Sequence, residues 1–378
     1  MKQMNRGIDS FFALLRGGLW ERSVSLGAYG QLDYDELLRL GEEQSVLGLV
    51  TAGLEQVWDI PVEKKDVVPL LQRVIAVENR NSALNEFVAS LFKRLQEAGI
   101  QAVLVKGQGI AQCYARPQWR APGDVDLLLD DANYEKAKGF LSFVSQTVHE
   151  ENPFDKHFSA ELDGFDVELH GTMRGLLPKR ADDMVDAVQA DTFENKKIRN
   201  WELNGVSIPL PAPDDDVIFV FTHILKHFFH YGVGIRQICD WCRLLWTYQD
   251  SIDQGVLILR LRQMRLLSEW KVFAAFAVEY LGMPRDAMPF YSVAPRWSRK
   301  ARRVKEYVLE VGNFGHNRDA SYQQEKSLVA RKATSFCRHL GDSLRHFFIF
   351  PLDSLRILCR LVATGLGART RKVGENKA

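Results

Sequence analysis

Two carboxylates, Asp124 and Asp126, stand two residues apart at the start of the apolar run 125–129, shortly after a Lys-Gly turn at 106–107. Residues two apart on a β-strand point to the same face of the sheet, so both carboxylates project together. Carboxylate oxygens are hard ligands that bind Mg²⁺ or Mn²⁺, and such an ion also binds the phosphates of a nucleotide. The pair therefore predicts a divalent-cation site for phosphate chemistry.

A second polar row is predicted from segment 157–170, which reads HFSAELDGFDVELH. Asp163 and Gly164 suit a type I′ turn, because both central residues of that turn adopt positive φ. Counting outward from the turn gives three pairs that share one face: Glu161 with Asp166, Ser159 with Glu168, and His157 with His170. The other face is apolar, so we expect one side of this hairpin to pack on a core and the other to present carboxylates and imidazoles.

The elements that position these residues follow from the hydrophobic pattern. Apolar residues recur at helical spacing through residues 8–99, and Gly99 is a typical helix stop. The chain then alternates between strand and helix patterns, in the order 100–105, 107–114, 125–129 and 132–143. Such alternation is typical of a layered unit in which helices cover a sheet.

We predict an α+β fold in which a mixed-sheet core is flanked by helical regions on both sides. The predicted divisions are a helical region at 1–99, an α/β core at 100–212, a helical domain at 213–368 and a disordered tail at 369–378. The tail is predicted to be disordered because the last few residues of a chain are often poorly ordered.

Two smaller predictions concern the end of the core. Residues 201–209 are predicted to form a single edge strand of the sheet. Asp214 to Asp216 are predicted to cap a helix that starts near Val217, because acidic side chains are favourable at a helix N-terminus. Further helices are expected after it, with breaks at the glycines near 232–234, 282–284 and 312–315.

Composition describes an ordinary globular protein, with 378 residues, 46% hydrophobic and 26% charged, and a formal net charge of +1. This balance does not favour nucleic acid as a partner. From Arg285 onward, however, there are 19 Lys and Arg against 8 Asp and Glu, a local balance of +11. Solvated helix faces are the commonest reason for such a bias, and a nucleic acid, an anionic lipid surface or an acidic substrate are the alternatives.

The segment 346–366, HFFIFPLDSLRILCRLVATGL, is apolar and flanked by arginines. We favour a helix that packs on the domain over an interfacial helix on an anionic membrane, which stays open as a peripheral contact. Pro351 predicts a break within the segment.

The cysteines indicate a reducing compartment. There are five, an odd number, and the chain start lacks the pattern of a signal peptide. No run of 18 apolar residues occurs, so no spanning helix is predicted, and we expect a cytoplasmic protein. Cys239 and Cys242 lie in an apolar helical pattern without a second pair, so core packing is favoured over zinc.

Several of these residues together resemble a known group. They are Leu104-Val105-Lys106-Gly107, Arg120, Asp124-Val125-Asp126 and Val167-Glu168-Leu169-His170, followed by His223, His227 and Asp240. The pattern resembles the nucleotidyltransferase-fold superfamily and, within it, bacterial nucleotidyltransferase family proteins of uncharacterised substrate. The resemblance covers roughly residues 8–250. It implies a nucleotidyltransferase-type sheet for the core.

The resemblance implies Asp124, Asp126 and Glu168 as catalytic ligands of two divalent cations, Mg²⁺ or Mn²⁺. Asp166 shares a strand face with Glu168 and is the alternative third ligand. Nucleotide phosphates are assigned to Lys106, Gly107, Gln108, Gly109 and Arg120. One departure is that Gly107-Gln108-Gly109 stands where the superfamily usually has Gly-Gly or Gly-Ser.

The substrate side of the cleft is assigned to Asp166, His170, His157, His223, His227, Arg236 and Asp240. His223, His227 and His230 share one helix face, and we favour a role in lining the cleft over zinc binding. Arg236 and Asp240 are alternatively an ion pair one helical turn apart.

The reaction implied is transfer of a nucleoside monophosphate from an NTP, with ATP expected, to a hydroxyl or phosphate acceptor, with release of pyrophosphate. A small, sugar-like acceptor is expected, since similar proteins look like accessory enzymes of surface-polysaccharide synthesis. The alternatives are AMP transfer to a protein or RNA, and a non-catalytic scaffold that binds a nucleotide or partner. The oligomeric state is left open.

Overall fold

The computed structural model describes residues 2–149, 151, 156–313 and 341–359, and the predicted disordered tail at 369–378 lies outside them. The chain begins with four helices: α1 Lys2–Trp20, α2 Tyr34–Glu43, α3 Leu47–Leu54 and α4 Lys64–Glu97. The predicted helical region is thus confirmed. Gly99 follows α4 with a φ of +65°, which glycine adopts without strain, so the predicted helix stop is also confirmed.

A five-stranded mixed sheet follows, in the order β1-β2-β5-β4-β3. Its strands are β1 Val103–Val105, β2 Val125–Leu128, β3 Thr147–Val148, β4 His157–Leu162 and β5 Phe165–His170. Strands β2 and β5 are parallel, whereas the other neighbouring pairs are antiparallel. Two helices connect the strands, α5 Gly107–Ala111 after β1 and α6 Asp131–Val144 after β2. The predicted α+β class and mixed sheet are confirmed.

The β4–β5 hairpin has the predicted register. His157 pairs with His170, Ser159 with Glu168, and Glu161 with Asp166. The turn residues Asp163 and Gly164 have φ of 54° and 77°, as a type I′ turn requires. The turn type fixes which residues pair across a hairpin, so the Asp163-Gly164 dipeptide alone predicts the register of the whole polar row.

The prediction of a single edge strand at 201–209 is wrong. Residues 198–211 form a second hairpin, with β6 Ile198–Leu203 and β7 Val206–Pro211 in their own two-stranded sheet. Its turn residues, Asn204 and Gly205, have φ of 51° and 78°. Asn-Gly between two strands is a strong hairpin signal in a sequence, because both residues readily adopt the positive φ of a type I′ turn.

The predicted helix start near Val217 is also wrong. After α7 Lys179–Glu194, helix α8 spans Pro213–His230, and Pro213 occupies a first-turn position where its missing N–H is harmless. The following aspartates are not caps. Asp215 and Asp216 are buried and form ion pairs with Arg260 at 2.9 Å and Arg199 at 2.8 Å.

The remaining helices are α9 Ile235–Thr247, α10 Gln254–Met264, α11 Leu267–Glu279 and α12 Pro295–Val311, followed by helical residues 341–347 and 351–359. The predicted breaks near 232–234 and 282–284, and that at Pro351, are confirmed. The structure describes the region of the predicted break at 312–315 only as far as residue 313. Residues 360–366 of the apolar segment lie outside the described residues. None of the described helices is long and apolar enough to cross a membrane.

Helices from both ends of the described chain share one hydrophobic core. Trp20 in α1 donates from Nε1 to the Leu281 carbonyl at 2.6 Å, and Gln44 donates to the Val308 carbonyl at 3.1 Å. Cys239 and Cys242 are fully buried in this core, as predicted. A second core lies between helices α4 and α6 and the face of the sheet that does not carry the polar row. The polar row of the sheet therefore faces the helices that follow residue 213.

Close packing of α1 on α3 depends on glycine. A Cβ added at Gly53 would lie 2.0 Å from the Leu14 carbonyl oxygen, so we expect Gly53→Ala to lower the free energy of unfolding by about 1–3 kcal/mol. The measurement is urea unfolding followed by circular dichroism.

Gly139 in α6 is the matched control, because a Cβ there meets no atom within 4 Å. Gly139→Ala should leave stability unchanged or raise it by up to about 1 kcal/mol, since alanine favours helix more than glycine. Equal effects of the two substitutions would contradict the close approach of α1 to α3.

Candidate active site

Three carboxylates meet at the edge of the sheet. The parallel pairing of β2 with β5 places Asp126 directly beside Glu168, and Asp124 lies immediately before β2. One carboxylate oxygen from each of these three residues lies within 4.8 Å of the others. Asp126 is buried, Glu168 is half-buried and Asp124 is exposed. The three oxygens are therefore close enough to ligate a common cation, and Asp124 keeps the site open to solvent.

Lys106 supplies positive charge to this group. Its Nζ lies 2.6 Å from Asp126 Oδ1, and the same oxygen lies 2.7 Å from His170 Nε2. The Lys106 backbone has φ of 58° and ψ of −147°, a region that non-glycine residues rarely adopt and that costs about 1–3 kcal/mol. The strand-to-helix turn thus holds this lysine in a strained conformation next to Asp126.

The three carboxylates differ in how their charge is compensated. Repulsion from Asp126 is the largest cause that raises the pKa of Asp124 to about 6, and repulsion from Glu168 adds to it. Burial opposes ionisation of Asp126, yet Lys106 and His170 outweigh it and hold its pKa below the usual value. Burial likewise opposes ionisation of Glu168, but hydrogen bonds from His157 and His170 hold its pKa well below the usual value. Negative charge on Asp124 is therefore the least compensated, and a divalent cation would stabilise it.

The hairpin adds two imidazoles beside Glu168. His157 Nε2 lies 3.0 Å and His170 Nε2 3.5 Å from Glu168 Oε2, so the predicted row is assembled as side chains as well as backbone. Asp166, the alternative third ligand, is exposed and belongs to neither group of clustered ligand atoms among the described residues. It lines an adjoining concavity with Asp124 and Glu168. The geometry favours Glu168 as the third ligand.

Arg120 and Asp240 form a buried ion pair. Arg120 donates from Nε and Nη2 to the two carboxylate oxygens of Asp240, each at 2.8 Å, and the Tyr114 hydroxyl donates to the same carboxylate at 2.7 Å. Arg236 Nη1 donates to the carbonyls of Ala121 at 3.0 Å and Pro122 at 3.1 Å. These contacts fix the loop that leads into Asp124.

Only part of the glycine turn at 106–109 lines the cavity. Lys106 and Gly107 line it, whereas Gln108 and Gly109 do not. The Gln108 amide donates to Asn85 Oδ1 at 2.6 Å, and a Cβ at Gly109 would lie 2.8 Å from the Leu210 side chain. Gln108 and Gly109 thus face the packing side of α5, a helix of only five residues.

Helix α8 forms the wall opposite the carboxylates, across a cavity of about 370 Å³. The rings of His223 and His227 lie 4.4 Å apart on this wall. Burial, followed by the charge of Lys106, lowers the pKa of His223 well below its usual value and that of His227 to about 3. Both imidazoles are therefore neutral near pH 7.

Other residues that were not predicted also line the cavity, among them the polar residues Thr172, Arg174, Lys226, Tyr231 and Gln237. Lys226 lies three residues after His223 on the helix face already singled out for its histidines, so helical spacing was a signal for it. Thr172 and Arg174 follow β5 in a connection without a local motif, and no sequence signal identified them.

The buried ion pair gives a prediction about stability. Asp240→Asn leaves the Arg120 charge buried without its carboxylate, so we expect the free energy of unfolding to fall by about 3–5 kcal/mol. Glu55→Gln is the control, because Glu55 pairs with Arg116 where both side chains are more than 40% exposed, and it should cost less than about 1 kcal/mol. Urea unfolding compares the variants. Similar losses for both would contradict a buried anchoring role for Asp240.

Comparison with known proteins identifies a family for this chain. A family model described as an uncharacterised nucleotidyltransferase matches residues 30–282, a span that contains the carboxylates, Lys106 and the histidine wall. Among solved structures, an antigenic nucleotidyltransferase-like protein from Paracoccidioides brasiliensis is similar, at 15% sequence identity. The match covers 49% of this chain and 90% of that chain, with a TM-score of 0.30, too low to carry an argument. No curated protein matches the chain.

Proposed function

This chain belongs to the uncharacterised nucleotidyltransferase family, and from that premise we propose that it transfers a nucleoside monophosphate from an NTP to a hydroxyl or phosphate group of a small molecule. Pyrophosphate is the leaving group. The observation that carries the proposal is the cluster of Asp124, Asp126 and Glu168 oxygens beside Lys106, at the wall of a cavity.

The residues present suit Mg²⁺ or Mn²⁺. Hard oxygen ligands are offered by Asp124, Asp126 and Glu168. Repulsion from the other two carboxylates raises the pKa of Asp124, and a divalent cation would relieve this repulsion. When bound, the metal neutralises phosphate charge and lowers the pKa of the attacking hydroxyl. His170 would orient Asp126 and His157 would orient Glu168, because their imidazole nitrogens lie 2.7 and 3.0 Å from these carboxylates.

Cationic side chains around the cavity suit the triphosphate. Lys106, Arg174, Lys226 and Arg236 all line the cavity, so they supply positive charge close to the carboxylate cluster. In the proposed reaction Lys106 stabilises charge that develops on the leaving pyrophosphate, because its Nζ lies next to Asp126. ATP is the first donor to test, and the cytoplasm supplies it.

The α8 wall is proposed as the acceptor side. His223 and His227 are neutral, so each ring has a nitrogen that can accept a hydrogen bond from a hydroxyl. A cavity of about 370 Å³ is in the size range of small-molecule sites. These features favour a hydroxyl-rich small acceptor, and a sugar of the kind used in surface-polysaccharide synthesis is our first candidate.

The test is thermal unfolding with ATP, GTP, CTP or UTP, each with and without Mn²⁺ or Mg²⁺. Ligands that bind only the folded state stabilise it, by about 2.7 kcal/mol at 100 times Kd, so we expect a metal-dependent rise in the midpoint with one nucleotide. The double variant Asp124→Asn/Asp126→Asn should lose this rise, each protein being compared with its own ligand-free midpoint.

Asp166→Asn is the matched control, because Asp166 is a neighbouring carboxylate on the same strand face outside the cluster. It should keep the metal-dependent rise. A rise that survives in the double variant without metal would indicate a nucleotide-binding scaffold instead. No rise with any nucleotide would remove support for the proposed donor class.

A further inference from the structure

The last described segment exposes apolar side chains on one side. It consists of two short helices, 341–347 and 351–359, joined by residues 348–350. Ile349 and Phe350 in this connection and Ile357 in the second helix are nearly inaccessible and belong to the core. The opposite side carries large apolar residues with these exposed fractions: Leu344 57%, Phe347 44%, Phe348 64%, Leu352 66% and Leu355 53%. We call these five residues the C-terminal apolar surface.

This surface is not explained by packing within the described chain. Isolated exposed apolar residues are common, but five within twelve positions form a patch. Leu344 and Phe347 in the first helix have i, i+3 spacing, as have Leu352 and Leu355 in the second, so each helix turns an apolar face outward. Phe348, which directly follows the first helix, is exposed as well. The sequence favoured a packing helix over an interfacial one, whereas the structure shows a packed face and a free apolar face on the same segment.

Positive charge borders the C-terminal apolar surface. Arg303 in α12 donates from Nη1 to the Phe348 carbonyl at 2.6 Å, which fixes α12 beside the surface. Helix α12 contains six Lys and Arg against two Glu. Lys300 and Arg303 lie over the Phe350 and Phe348 rings at 5.7 and 5.9 Å, and the exposed Arg296 and Arg299 lie one helical turn before them. The sequence that follows, residues 360–378, has five Lys and Arg against one Glu.

We infer that the C-terminal apolar surface docks on an anionic lipid membrane as a peripheral contact. Its phenylalanine and leucine side chains would enter the headgroup boundary, while the arginines of α12 bind lipid phosphates. Residues 1–284 carry a net charge of −10, the difference between +1 for the chain and +11 from Arg285 onward. This asymmetry orients the basic end toward a negative surface.

A second copy of the chain fits this surface less well. A two-fold contact through the same patch would bring one α12 next to its symmetry mate, and their like charges repel. A lipid surface presents the opposite charge and needs no complementary groove. Charge complementarity therefore favours the membrane as the occupant.

Co-sedimentation of the full chain with vesicles tests the inference. Wild type should bind vesicles of phosphatidylcholine with 30% phosphatidylglycerol, and bind much more weakly to pure phosphatidylcholine or at high salt. Phe348→Gln/Leu352→Gln should weaken binding by about tenfold or more. Arg296→Glu/Arg299→Glu should weaken it comparably and leave the apolar residues intact.

Phe143→Gln is the matched control, because Phe143 on α6 is 91% exposed and lies outside the C-terminal apolar surface. It should bind as wild type does, and all variants should keep the wild-type thermal midpoint because the substituted side chains are exposed. Absence of wild-type binding to anionic vesicles, or full binding by Phe348→Gln/Leu352→Gln, would overturn the inference. Sedimentation equilibrium showing a wild-type dimer that this variant dissociates would overturn it in favour of a second copy.

Discussion

Mutual repulsion among three carboxylates is the constraint around which this structure is arranged. Parallel pairing of β2 with β5 forces Asp126 beside Glu168, and Asp124 lies within reach of both. Such a group is stable only where positive charge compensates it, and Lys106 provides that charge at 2.6 Å from Asp126. A strained backbone conformation persists only where the surrounding structure holds it, and such conformations cluster at functional sites. The strained turn at Lys106 is consistent with this role.

Much of the remaining chain holds this cluster in place. The Arg120–Asp240 ion pair and the bonds from Arg236 fix the loop before Asp124 from helix α9. Most of helix α9 is in turn buried in the core shared by helices from both ends of the described chain. Arg120, Arg236 and Asp240, which were expected to bind nucleotide or substrate, thus also support the loop, since their side chains form hydrogen bonds within the protein. Placement of carboxylates to within a fraction of an ångström needs such rigid support.

Local signals were readable from the sequence and long-range partners were not. Asp163-Gly164 gave the full register of β4 and β5, because turn type determines pairing. Asn204-Gly205 and Pro213 carried equally local signals for the second hairpin and for the start of α8. By contrast, the pairing of Arg120 with Asp240 joins residues 120 positions apart, and no spacing rule predicts it. The C-terminal segment was ambiguous because it is apolar on both faces, and only packing shows which face is covered.

The most direct measurement is diffraction from crystals soaked with Mn²⁺ and a non-hydrolysable NTP analogue, with data collected to locate manganese by its anomalous scattering. A metal centre built from the three carboxylates predicts an anomalous peak within about 2.5 Å of oxygens from Asp124, Asp126 and Glu168, with the analogue's phosphates next to it. Nucleotide bound in the cavity with no manganese at these oxygens would contradict a metal-dependent transferase site.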